Sequence, residues 1–538
     1  MTTERSTGRS AFLVGAGILL TRLTGLVRQR VFAHYFGLGA EADAFSAAFR
    51  IPNVLQNLFG EGALSASFIP VYASLVAQGR RKDADHVAGA VLSLLALVVS
   101  AIVLAGVLAT PMLIDLIAPG FDGARRALTI QLVRILFPGA GLLVLSAWCL
   151  GVLNSHRRFL LSYTAPVIWN ASMIATLVMF GGQSTLPRLA VLLAWGSVAG
   201  SALQFAVQLP AVLRLLWRPP SSGSIRLKPD PTTGLNGRSQ VREVIRNFAP
   251  SFVSRGVVQI SAYVDTLLAS LLPTGAVAAL MNAQLLYTLP ISLFGMSVSA
   301  AELPALSAIS ATSGAGADPG AVDVLRRRLD AGLRRIAFFV VPSAAAFIGL
   351  GDVIAAAIFE TGRFGRADTL YVWAILAGSA IGLLPSTLGR LYSSAYYALR
   401  DTRTPLRYAI VRVSLGTVMG YLLAIPLPRW LAIPGMWGAV GLAISAGLAG
   451  WVEMLLLRRK LNLRIGSTGV PTGYAAKLWV SAIAAGGVAW GVKLMLPAVH
   501  PVIVAVSVLG VYGLIFLLGT LALRIPEAAE ALKRANRR

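Results

Sequence analysis

Residues 18–75 read ILLTRLTGLVRQRVFAHYFGLGAEADAFSAAFRIPNVLQNLFGEGALSASFIPVYASL. The stretch is two apolar segments of membrane-spanning length, yet Arg22, Arg28, Arg30, Asp43, Arg50, Asn53 and Glu61 lie in or between them. A charge at the bilayer centre costs about 2.5–3.5 kcal/mol on insertion scales, so charges inside spans usually face a wet cavity and have a function. Any reading of the chain must explain several basic groups inside a membrane protein.

The rest of the composition agrees. Of 538 residues 56% are hydrophobic and 13% charged, and the mean hydropathy is +0.73. Soluble domains carry about 25% charged residues, so the chain is a polytopic membrane protein. Its apolar runs exceed the ~9–11 residues of a barrel strand, which leaves helices as the spanning element. A formal charge of +25 would suggest nucleic acid in a soluble protein. Here the basic residues cluster in short runs between apolar segments and report topology, so no nucleic-acid partner is expected. The single cysteine, Cys149, excludes an intramolecular disulfide and reads as a packing residue. His34, His86, His156 and His500 are dispersed without ligand spacing, so no metal centre is expected. Arg5 and Arg9 precede an apolar run without a clean cleavage site, which reads as an uncleaved first span.

Fourteen apolar segments can be placed, near 11–33, 42–76, 87–110, 128–152, 160–181, 189–212, 246–271, 277–309, 336–359, 370–398, 406–426, 434–457, 475–496 and 501–524. The second and eighth are too long for one straight crossing and contain Pro52, Gly60, Gly62 and Pro70, and Pro290, Gly295 and Pro304, so bends or breaks are expected there. Basic clusters fall on alternate loops: Arg80–Lys82, Arg157–Arg158, Arg214 to Arg246, Arg326–Arg335, Arg400–Arg407 and Arg458–Lys460. The positive-inside rule then puts both termini in the cytoplasm.

The stretch 218–240, rich in Pro, Gly and Ser, divides the chain after six spans. The stretch 313–323 precedes a basic amphipathic segment expected to lie on the membrane surface. A weak repeat links Thr21–Arg22 to Ser254–Arg255 and FGEGALSASFIP (59–70) to FGMSVSAAELP (294–304). An even number of spans separates the copies, so the halves share one orientation, a transporter arrangement. The expected fold is all-α, with about fourteen transmembrane helices in two parallel six-helix lobes plus two C-terminal helices. The lobes are 1–217 and 246–460, the cytoplasmic linker is 218–245, and 461–538 holds the last two helices and a basic tail.

Depth sorts the polar residues. Entry near Ala11 and a rise of ~1.5 Å per residue set Arg22 roughly 16 Å deep, near the middle of a ~30 Å core. Arg28 and Arg30 lie nearer the far boundary; Arg28 reads as a cavity residue and Arg30 as an interfacial anchor. Arg22 and Arg28 stand about 120° apart on a straight helix and converge only if Gly25 relaxes it. Asp43 and Glu61 read either as charge partners for arginines or as a helix-start charge and a hinge residue. Asn53 follows Pro52 and is a candidate hydrogen-bond partner. Arg255 is a cavity or snorkelling residue, and Asp265 is its partner or a cation ligand. Arg412 and Glu453, near basic span ends, read as structural. Several arginines facing one cavity are the chemistry for holding phosphate or pyrophosphate. Walker A, nucleophile-elbow and HExxH motifs are missing from the sequence, so an enzyme is not expected.

With those residues in view, TRLTGLVRQRVFAHYFGLGAEADAFSAAFRIPN and FGEGALSASFIP resemble the N-terminal signature of the MurJ/MviN lipid II flippases. FPGAGLLVLSAWCLGVLNSHRRF, FGMSVSAAELPALS and YSSAYYALRDTRTPLRYA extend the resemblance over nearly the whole chain. It implies transport of lipid II, the undecaprenyl-pyrophosphate-linked peptidoglycan precursor, across the bacterial inner membrane by alternating access. The last two helices would form a groove for the lipid tail. Arg22 and Arg28 match the family's cavity arginines, Asp43 its acidic position, and Arg50 a basic position before Pro52–Asn53. The chain departs from the pattern at Gln56 or Asn57 and near Leu285, where the family often carries arginine; Arg255 is taken to supply the missing charge. No cofactor is expected; the membrane potential and a monovalent ion are the candidate drives. Membrane lipids and wall-synthesis machinery are the further expected partners. The alternatives left open are a related exporter of O-antigen-type lipids or drugs, and a non-transporting wall-synthesis scaffold.

Overall fold

The computed structural model describes residues 2–156, 158–216, 241–242, 244–246, 248, 263–299, 302–303, 306–307, 319–497 and 499–535, without the side chains of 2–16, 18, 61–63, 65–66, 319, 321 and 531–535. Arg255, expected to supply the missing charge, lies outside the described residues, as does the side chain of Glu61. The chain divides into two compact units, Met1–Leu267 and Leu268–Arg538.

The first unit holds α1 (Thr2–Phe36), α2 (Ala40–Phe59), α3 (Glu61–Ala77), α4 (Arg81–Leu108), the short α5 (Thr110–Ile117), α6 (Gly123–Ser155), α7 (Phe159–Phe180) and α8 (Leu186–Leu216). The central helix is α6, packed against α2, α3, α4, α7 and α8. Its side chains from Leu143 to Leu153 are almost all buried, which is why this segment is apolar around its whole circumference. Cys149 is buried there as a packing residue.

The expected break in the second span falls at Gly60. Its N–H donates to the Gln56 carbonyl at 2.8 Å, and a Cβ built there would stand 2.0 Å from that oxygen. Only glycine fits, so one long apolar run becomes α2 and α3.

The second unit holds α9 (Ala276–Pro290), α10 (Pro319–Gly349), the short α11 (Gly351–Phe359), α12 (Arg366–Ala380), α13 (Leu383–Ala398), α14 (Arg403–Ala424), α15 (Gly438–Ile465), α16 (Thr472–Met495), α17 (Pro501–Ala522) and α18 (Pro526–Ala535). The eighth span deforms where Pro290 predicted, and Pro304 lies outside the described residues. After Pro290 the helix continues as a π-turn over Ile291–Met296, which absorbs the missing N–H donor. Two features differ from expectation. The tenth span breaks by 42° between α12 and α13, and the Trp451 Nε1–H donates to the freed Ile381 carbonyl at 3.0 Å. The basic segment Arg326–Arg335 is no separate surface helix. It is the first part of α10, because no breaker residue stands between Arg335 and the apolar run.

Ten described helices are long and apolar enough to cross a membrane, and the bent α12–α13 pair makes an eleventh. Helix α1 and the α2–α3 pair occupy two further expected spans and carry the charged positions of residues 18–75. The seventh expected span falls mostly outside the described residues. Thirteen of the fourteen expected spans thus have a helical counterpart among the described residues.

The last two membrane helices join the second unit through an apolar seam. Ala482, Ala485, Val508, Tyr512 and Phe516 share a buried cluster with Ala337, Phe338 and Val341 of α10, and the Tyr512 hydroxyl donates to the Pro342 carbonyl at 2.7 Å.

Candidate functional site

Helix α1 runs unbroken through Gly25, so Arg22 and Arg28 do not converge. Arg22 lies on the exposed face with Leu19, Leu23 and Val27, and makes no ion pair or hydrogen bond among the described residues. Arg28 turns inward. Its guanidinium lies 5.4 Å from the Phe49 ring centroid and 5.2 Å from that of Trp169, with the Met173 Sδ 3.9 Å away. Phe49 and Trp169 stack on each other at 5.6 Å. The Trp169 Nε1–H is tied to the Ser197 carbonyl and hydroxyl, each at 3.1 Å. Thus α7 and α8 hold the ring and the ring holds the arginine. Such a cation–π contact contributes about 0.5–2 kcal/mol, and it leaves the N–H donors of Arg28 without a carboxylate among the described residues.

The neighbouring α1 hydroxyls are also fixed by α7. Thr21 donates to the Tyr163 carbonyl at 2.9 Å, and the Asn170 amide donates to Thr24 at 3.3 Å.

On α2, Arg50 donates to the Thr266 hydroxyl at 2.5 Å, and its carbonyl accepts from the Tyr263 hydroxyl at 3.2 Å. Asp265 lies within electrostatic reach of Arg50. Asn53 stands about one turn from Arg50, on the same side of α2 and half-buried. Arg50 and Asp265 therefore meet where α2 lies against the helical residues 263–267, with Asn53 one turn along α2. Asp43 is elsewhere: it is 1% exposed and paired with Arg125 at 3.6 Å. Arg125 also lies 4.4 Å from the Phe121 ring and donates to the Gly120 carbonyl at 2.9 Å, which fixes the turn between α5 and α6. In the second unit Arg412 pairs with Glu453 at 3.1 Å.

Sequence reasoning missed Phe49, Trp169, Tyr263, Thr266 and Arg125. The aromatics gave no signal because rings inside apolar helices look like core. Arg125 was legible only as a loop charge.

The fold, many apolar helices with arginines set into them, is shared with solved structures of transporters of the MOP superfamily. A multidrug resistance MATE transporter of that superfamily in its inward-facing conformation superposes with a TM-score of 0.64 at 18% identity, over 82% of this chain and 95% of the other. The structure of a lipid II flippase MurJ in an inward closed conformation superposes with a TM-score of 0.75 at 22% identity, over 95% of this chain and 99% of that one. A family profile described as lipid II flippase MurJ matches residues 32–520. The lipid II flippase MurJ of Burkholderia cenocepacia is 31% identical over 463 residues, 85% of this chain and 84% of the relative. A probable lipid II flippase MurJ of Rhizobium meliloti is 32% identical over 457 residues, 82% and 78% of the two chains. The chain belongs to the MurJ family.

Proposed function

We propose that this chain moves lipid II, or a closely similar polyprenyl-pyrophosphate lipid, from the cytoplasmic to the outer leaflet of the bacterial inner membrane. The observation that carries the reading is Arg28 on its aromatic support, in a chain of the MurJ family. A guanidinium held by rings keeps its charge and its fork of donors for a pyrophosphate. A pump for cationic drugs needs carboxylates in that place, so the arginines favour an anionic lipid headgroup. The chain works as a transporter and not as an enzyme. The membrane potential acts on a basic cavity with about 2.3 kcal/mol per charge per 100 mV, enough to help reset it. Asp265 beside Arg50 is the candidate site for a coupling monovalent cation. Both termini face the cytoplasm, and the two six-helix lobes alternate in access.

Cells depleted of their own lipid II flippase test this. Wild type is expected to restore growth, while Arg28→Ala and Arg22→Ala at equal membrane levels are not. Failure of well-folded wild type would move the substrate to another lipid-linked oligosaccharide. Rescue by both variants would remove the arginines from the mechanism.

A further inference from the structure

Helix α13 has one accessible face, and it is the wrong kind for lipid. Ser386, Arg390, Ser393 and Tyr397 are the accessible residues between 386 and 397, spaced four, three and four apart. That spacing is a single stripe along a helix. The other sides are buried and largely apolar, with Leu388, Leu391, Ala395 and Tyr396 among them. A lipid-facing stripe would show Leu, Val or Ile, as α14 does with Leu406, Ile410, Val411 and Val418. The exposed side of α13 shows two hydroxyl residues, a phenol and a guanidinium.

The surroundings of Arg390 are charged as well. Ser386, one turn away, shares a 3.0 Å hydrogen bond with the Tyr287 hydroxyl of α9. Gly450 of α15 faces Pro385 and Ser386, which would stand 3.7 and 3.8 Å from a Cβ built there, an ordinary contact distance. Three residues further along α15 stands Glu453, already committed to Arg412 of α14 at 3.1 Å. Arg390 lies within electrostatic reach of Arg412, Glu453 and Tyr287, yet its guanidinium makes no ion pair or hydrogen bond among the described residues. Two arginines thus surround one carboxylate, about 12 Å inside the basic end of α13 by helix rise. The unbalanced charge is costly in a span unless water or an anion meets it.

We propose that Arg390, backed by Arg412 and flanked by Ser386, forms an anion site on the second unit that binds the phosphoryl groups of the transported pyrophosphate lipid. Arg412 is the positioning residue: its pair with Glu453 leaves Arg390 as the donor that turns outward. The inference rests on the flippase reading above and adds a binding residue on α13. Its chemistry is that of any phosphate-bearing headgroup, so an anionic phospholipid is the competing source.

The test measures binding of undecaprenyl pyrophosphate, and separately of phosphatidylglycerol, to purified full-length protein in detergent micelles. Wild type, Arg390→Gln and Arg390→Lys are compared, each with a melting curve to verify folding. Arg390→Gln is expected to weaken undecaprenyl pyrophosphate about tenfold, the size of one charge-assisted contact, and to leave phosphatidylglycerol unchanged. Arg390→Lys keeps the charge but loses the fork, and is expected to fall between. If Arg390→Gln does not fold, Arg390→Lys carries the test: affinity equal to wild type would overturn the site. Equal binding by all three proteins would overturn the site and leave the flippase reading standing. Equal loss for both lipids would make Arg390 a general phospholipid anchor and overturn its role toward the substrate. Wild type that binds no undecaprenyl pyrophosphate would sink the flippase reading and this inference together.

Discussion

Arg28 is held by rings and Asp43 by a counter-charge, and the difference decides what each can do. A carboxylate partner would consume the donors of Arg28; the faces of Phe49 and Trp169 do not. Asp43 spends its charge on Arg125 and the α5–α6 turn. A third kind of residue works outside the spans. Asp401 accepts from the Thr404 N–H at 3.0 Å and hydroxyl at 2.8 Å, and from Arg464 at 2.9 Å. Desolvation pushes its carboxyl up, but the Thr404 hydrogen bonds and Arg464 outweigh it and hold the group below the usual carboxylate range. The folded-state pKa is therefore lower than the unfolded value of about 3.9. The stabilisation is complete above that value and is lost as pH falls through the folded one. Melting curves should place Asp401→Asn about 1–2 °C below wild type at pH 7, with the gap closing under pH ~4. A gap unchanged down to pH 3 would show that the charge is idle.

Helices here bend where a small residue or a proline lets them, and the bend is then secured by a side chain from a neighbour. The α12–α13 break leaves the Ile381 carbonyl free, and Trp451 takes it. Beside it Gly382 and Gly447 touch: a Cβ on Gly382 would lie 2.7 Å from the Gly447 Cα, and one on Gly447 would lie 2.9 Å from the Gly382 N. Gly447→Val should therefore wedge α15 from the bend and cost about 1–3 kcal/mol, read as a lower melting temperature; an unchanged melt would show that α15 can shift freely. The break at Gly60 and the π-turn after Pro290 were legible because their segments were too long for one crossing and carried the responsible residues. The break at 381–382 was not: the segment 370–398 was longer than most, but GLLP resembles many unbroken spans. The same limit applied to the site. Arg22, Arg28 and Arg50 stood out as charges in oil, whereas Trp169 and Arg390's polar stripe needed a view of which face each helix presents.

At the scale of the molecule, each unit is held by a different device. The first is built around α6, whose Leu143–Leu153 stretch is buried almost all round. In the second, charges secure the added helices: Asp352, 3% exposed in its side chain, accepts from Lys493 of α16 at 2.7 Å and from Arg366 at 2.8 Å. Lys493→Ala would leave Arg366 as partner and is expected to cost about 1–3 kcal/mol. Faster proteolysis of the 466–471 connection before global melting is the expected sign; cleavage at the wild-type rate would show that the apolar seam with α10 suffices. The many-span helical architecture was readable from apolar length, a property of the chain itself. The placement of the terminal pair on α10 was not, because it depends on alanine-sized gaps that no periodicity announces. Cys149 has a practical consequence. It is the sole thiol of 538 residues and is sealed inside α6, so water-borne thiol reagents will pass it by. Spectroscopic probes can thus be attached at engineered cysteines, one on each unit, with the native sulfur left in place, and their separation followed through a transport cycle.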